Sequence, residues 1–291
     1  MVTYNPKDWL KLIIQFHKTD TARTLLWPML LIGAITAAIE VIEKIYIKEP
    51  IEGNVTIFHQ ISGFIISLVL VFRINTAYDR WWEGRKLWGG LLNSCRNLSI
   101  KMHALMPKNS IEERKEIAAM ISNYAYVLKE HLRNNSPEKL VAESSYINKA
   151  EYTKSNHKPN YIAKQLTEYI INISQKNPKT QYDSLLISSN LNDLTDICGA
   201  CERIKNTPIP YSYNMFIKRI VFVYIITMPI AFGFSVGYWS IPVVMVMFYA
   251  FASLELISEE IEDPFGYDEN DLPTDEIAEK IKLNVHEILL D

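Results

Sequence analysis

From Ile220 to Leu254 the chain carries no charged residue, 35 consecutive positions rich in Ile, Val, Phe, Met and Tyr. A helix of that length would run roughly 52 Å at about 1.5 Å per residue. The hydrocarbon core of a bilayer is only about 30 Å thick. One straight span therefore fits poorly, and two spans joined by a tight bend fit well. Gly237-Tyr238-Trp239-Ser240-Ile241-Pro242 supplies the glycine, proline and interfacial aromatics that such a bend needs.

Two further apolar stretches precede this one. Thr24 to Ile42 is a first span, with Pro28 expected in its first turn, and residues 55–72 are a second, with a polar loop over 43–54 between them. Before the first span, residues 1–22 read as a short amphipathic segment beside the membrane. Basic residues gather in that N-terminal arm, after the second span (Arg73, Arg80, Arg85, Lys86, Arg96) and just before the third (Lys218, Arg219). The excess of Lys and Arg on one side predicts a multi-pass protein with both termini in the cytoplasm. The expected layout is a first helix pair over 23–72, a cytoplasmic helical region over 73–215, a second pair over 216–257 and an acidic cytoplasmic segment over 258–291. Within the insert, Ile111–Arg133, Ile162–Ser174 and Leu185–Ile204 show helical periodicity, and 134–160 reads as a polar surface loop. The fold class is all-α.

Several function classes fall away. A net charge of −3 gives no general nucleic-acid surface. Three cysteines are too few for a disulfide framework, and Cys198-Gly199-Ala200-Cys201, with neither a second pair nor a βαβ context, reads as structural. The six histidines form no ligand spacing, although His59 lies inside a span, where ionisable groups are often functional. No nucleophile elbow, phosphate loop or dinucleotide motif points to an enzyme, and no paired repeats with broken helices point to a secondary transporter. A membrane-anchored scaffold, or a secondary transporter without channel activity, stays open as an alternative.

Phe64, Leu68 and Phe72 recur at i, i+4 and i+8, one helical stripe. Spacing alone allows either packing between membrane helices or a hydrophobic neck in which symmetric copies stack apolar rings that gate by dewetting. Directly after the stripe comes Arg73-Ile74-Asn75-Thr76-Ala77-Tyr78-Asp79-Arg80-Trp81-Trp82-Glu83-Gly84-Arg85. Here the chain resembles the bestrophin family of ion channels, in particular its bacterial branch, and the resemblance runs on to the Pro264-Phe265-Gly266-Tyr267-Asp268 segment.

The resemblance implies a homopentamer in the cell (inner) membrane, in contact with lipid. It would pass small inorganic monovalent ions through a central pore, chloride by the family's label and cations for the bacterial branch. It places the neck at Phe64, Leu68 and Phe72, with Leu68 making a wider ring than the phenylalanine of animal members. It places a cytoplasmic constriction at Ile209, within Thr207-Pro208-Ile209-Pro210, where the prolines would stop helices in any case. It also puts Glu260, Asp263, Asp268 and Asp271 where animal members hold calcium, the one cofactor it suggests. A solvated acidic face, helix capping or salt bridges are the other readings of that segment.

Overall fold

A computed structural model describes residues 20–46, 54–107, 109–135, 137, 139–176 and 183–291. Residues 1–19 of the expected amphipathic segment and 47–53 of the first loop lie outside the described residues. Every regular element among the described residues is a helix. In order they are α1 (Asp20–Tyr46), α2 (Asn54–Leu105), α3 (Ile111–Leu132), α4 (Lys149–Lys154), α5 (Lys158–Lys176), α6 (Asp183–Asn206), α7 (Tyr211–Val236), a 3₁₀ turn (Gly237–Trp239), α8 (Ser240–Glu262) and α9 (Thr274–Leu290). Four of them, α1, α2, α7 and the turn with α8, are long and apolar enough to cross a membrane.

The chain forms two compact units. One takes in the described residues up to Arg80 together with Ile209–Glu262, and the other Trp81–Pro208 together with Asp263–Asp291. In the first, α1 packs on α7 and α8, and α7 packs on α8. Its interior is Ile32, Ile66, Leu70, Ile217, Val221, Tyr224, Ile225, Met228, Val244 and Phe251. The bend falls where the sequence predicts it. Gly237 ends α7 at φ 60°, ψ −144°, a backbone state that only glycine adopts at little cost. Pro28 is a correction: α1 starts at Asp20, so the proline lies inside the helix. Inside a bilayer, neighbouring helices help satisfy the backbone carbonyl that such a proline frees.

In the second unit α3 is the central element, packed by α9, α5 and α6. Its core includes Trp88, Leu91, Leu98, Ile117, Ile121, Tyr124, Leu128, Ile162, Leu166, Leu194, Ile281 and Val285. The acidic tail thus does more than present charge, because Ile277, Ile281, Val285 and Leu289 give α9 one buried stripe at helical spacing. Arg114, 6% exposed, caps the end of α2 by donating to the carbonyls of His103 and Met106, each at 3.1 Å. The expected loop over 134–160 is corrected in part. Asn148 accepts the N–H groups of Ala150 and Glu151 to start α4, and α5 begins already at Lys158 with Pro159 in its first turn.

Helix α2 has 52 residues, about 78 Å at 1.5 Å per residue. A bilayer core accounts for well under half of that length. The residues of α2 up to Arg80 belong to the first unit and Trp81–Leu105 to the second.

Candidate functional site

The face of α2 that carries Phe64, Leu68 and Phe72 is open. The three side chains are 72%, 46% and 58% exposed on the single chain. The opposite face is closed, with Ile66, Leu70 and Arg73 at 6%, 2% and 0%. Each step of four residues turns the helix about 40° past a full circle, so the stripe winds slowly along α2. Asp79, seven positions after Phe72, falls within about 20° of its direction and is exposed. The stripe thus runs from apolar side chains to a carboxylate.

Beneath the stripe lies a buried ionic knot. The fully buried Arg73 Nη2 donates to Glu262 Oε2 at 2.7 Å, and its Nε lies 3.6 Å from Glu255 Oε2. Glu262 Oε1 accepts the Ile209 N–H at 2.6 Å, and Arg80 Nε donates to the Glu262 carbonyl at 3.1 Å. One carboxylate therefore ties α2, the start of α7's approach segment and the end of α8 together. Arg73 is turned away from the stripe and neutralised, so it adds no cationic field there. Ile209 is itself 9% exposed, pinned by its backbone, and offers little side-chain surface on the single chain. The clue in the sequence was Glu255, an acid directly after a long uncharged run, where a buried charge requires a partner.

The two family motifs meet in the second unit. Trp81 Nε1 donates to the Asn270 carbonyl at 2.9 Å. A Cβ placed on Gly84 would lie 3.2 Å from Pro264, Phe265 and Leu272 alike, so the glycine admits the Pro264–Leu272 turn against α2. Arg133 holds the other side, donating to the Gly266 carbonyl at 3.2 Å and to Asp275 Oδ2 at 2.7 Å. Those bonds from Arg133, with Lys129, hold the Asp275 carboxyl down at about 2.

Of the four acidic candidates, Glu260 is half-buried on α8 and Asp263 and Asp268 are exposed. Asp271 is 2% exposed and folds back on the turn, its Oδ2 accepting the Asp268 N–H at 2.7 Å. Burial pushes its carboxyl up to about 7. Its Oδ1 is buried without a partner, which is one ligand where calcium takes six to eight oxygens. Among the described residues, Asp263, Asp268 and Asp271 are not a group whose side-chain donors all lie within 4.8 Å of one another, so these carboxylates alone do not assemble a calcium shell.

Two other expectations are resolved by position. Cys198 and Cys201 are 1% and 0% exposed in the core, and burial raises the Cys198 thiol to about 12 and Cys201 further still. His59, 5% exposed, stacks on Tyr224 at 4.1 Å between centroids. The expectation that no histidines form a ligand set is corrected: His131, His157 and Glu202, distant in sequence, come together.

The chain resembles proteins of one family throughout. Bestrophin_2, the bacterial/fungal bestrophin protein family, matches residues 1–287. A voltage-dependent anion channel-forming protein of Nostoc sp. is 34% identical over 252 residues, 84% of this chain and 80% of the relative. The voltage-dependent anion channel-forming protein YneE of Escherichia coli K12 is 32% identical over 230 residues, 77% of this chain and 74% of the relative. A crystal structure of a singly substituted bacterial bestrophin homologue from Klebsiella pneumoniae superposes with a TM-score of 0.81 at 24% identity, covering 92% of this chain and 99% of that one. This last likeness is one of fold.

Proposed function

The chain belongs to the bacterial/fungal bestrophin family, and from that premise we propose that it forms a passive ion channel whose neck is lined by Phe64, Leu68 and Phe72. The observation that carries the reading is the open apolar stripe on α2, backed by the buried Arg73–Glu262 pair. A single chain presents the stripe once, so a closed neck requires copies around an axis, and the family's symmetry makes that number five. Apolar rings hold back ions when dry and pass them when wet or widened. The neck therefore acts as gate and sieve, and no bond is made or broken. The lysines and arginines beside the spans support a cell-membrane placement with both termini cytoplasmic. Ile209, its N–H held by Glu262, is the candidate second constriction.

The Nostoc and Escherichia coli relatives are named for anions, which supports chloride as the permeant ion. A specific observation supports cations instead: Arg73 is buried and paired, while Asp79 is exposed on the face of Phe72. The protein in planar bilayers under asymmetric KCl separates the two by the sign of the reversal potential. Wild type should carry single-channel current, and Leu68→Ala, which widens the middle ring, should carry more. Silence from both under every gradient would leave a membrane scaffold as the better account.

A further inference from the structure

We propose that the second unit holds a binding site for one divalent first-row transition ion, zinc above all, made by His131 at the end of α3, His157 just before α5 and Glu202 near the end of α6. His131 Nε2 and His157 Nε2 lie 2.6 and 2.7 Å from the same oxygen, Glu202 Oε1. The donor atoms of the three residues all lie within 4.8 Å of one another, and the imidazole rings are 4.7 Å apart between centroids. The side chains are 27–33% exposed, so an ion can enter and a water can complete the shell.

Two imidazole nitrogens and one carboxylate oxygen are a donor set for a borderline metal with an open fourth position. Magnesium and calcium prefer oxygen alone. The edge of a zinc tetrahedron is about 3.3 Å, given Zn–N bonds near 2.0–2.1 Å. The ligands therefore need to spread by about 0.6 Å from their hydrogen-bonded spacing. His131 is the next-to-last residue of α3, His157 directly precedes α5, and Glu202 lies near the end of α6. Glu202 supplies the one carboxylate of the set, its Oε1 shared by both imidazoles.

His157 Nδ1 accepts the Asn160 N–H at 3.1 Å. In that tautomer the proton sits on Nε2, so metal uptake moves it to Nδ1 and hands the Asn160 N–H to water. Two neighbours stay out of the shell. Lys205 turns its ammonium to the Leu132 carbonyl, and the Cys198 and Cys201 side chains are buried in the core. A purely structural brace would need the hydrogen bonds but not the anionic charge, and that difference is testable.

Untagged protein in detergent, stripped with chelator, is titrated with ZnCl₂ by calorimetry, with bound metal counted by mass spectrometry. The expected result is one zinc per chain and a melting temperature that rises with zinc. His131→Asn, His157→Asn and Glu202→Gln should each weaken binding by more than about tenfold and abolish the zinc-dependent rise. Asparagine at 157 keeps a cap for α5, and glutamine at 202 keeps the acceptor, so folding is preserved. If wild type takes up no zinc, or the three variants bind it as tightly as wild type, the site is overturned. Binding is read without any current, so the outcome is independent of the conduction reading.

Discussion

Arg73 carries two opposing demands: it follows the apolar stripe directly in sequence, yet its side chain is wholly buried. Desolvating a guanidinium is offset only by close, well-placed carboxylates, and Glu262 at 2.7 Å with Glu255 at 3.6 Å provides them. Removing Arg73 leaves two buried acids facing each other. Arg73→Ala should therefore lower unfolding stability by about 3–5 kcal/mol, measured by thermal melting in detergent. Arg73→Met combined with Glu262→Gln should recover part of that loss, because one of the two uncompensated acids is neutralised and only Glu255 remains. A double variant as unstable as the sum of the singles would show that the pair is not coupled. Asp271 supplies a pH test. Its folded carboxyl is raised to about 7 by burial, above the unfolded value of about 3.9. The folded state therefore favours the proton, and this stability is complete below pH 4 and lost as pH rises toward 7. Asp271→Asn should flatten the melting temperature between those limits, whereas an unchanged slope would assign it to other groups.

At the scale of elements, α2 and the Pro264–Leu272 turn depend on each other. Gly84 lies where a side chain would enter Pro264, Phe265 and Leu272 at once, and Phe265 is 1% exposed. Gly84→Val adds bulk that this contact cannot absorb and should cost about 1–3 kcal/mol. Limited proteolysis should then cut near residues 264–272, and protection equal to wild type would refute the contact's importance. The starts of α4 and α5 rest on local chemistry inside a polar run. Asn148, and Pro159 in a first turn, are both helix-start signals, but the polar run around them hid the one buried residue of α4, Tyr152.

For the whole molecule, the exposed apolar surface decides the assembly. Trp27, Phe58, Phe64 and Val246 are each more than 60% exposed on the single chain, which lipid can cover for most positions. The Phe64–Leu68–Phe72 stripe continues into exposed Asn75, Thr76 and Asp79, an order that suits a water-filled passage better than a lipid face. Native mass spectrometry from mild detergent should return five copies. A monomer under those conditions would remove the neck, since one stripe encloses nothing.

The four spans, the bend at Gly237, the all-helical class and the apolar stripe are legible in the sequence, because each is written in local composition and period. It also marked the Trp81–Gly84 and Pro264–Asp268 motifs as belonging to one family. Only the tertiary structure decided that these motifs touch, that Arg73 turns inward to Glu262, and that Asp271 folds into its own turn rather than joining Asp263 and Asp268. Only it brought His131, His157 and Glu202 together. The physical reason is the same in each case. Periodicity reports which face of a helix is apolar, but the partner of a buried charge or a ligand is fixed by contacts between segments far apart in sequence, and no local pattern encodes them.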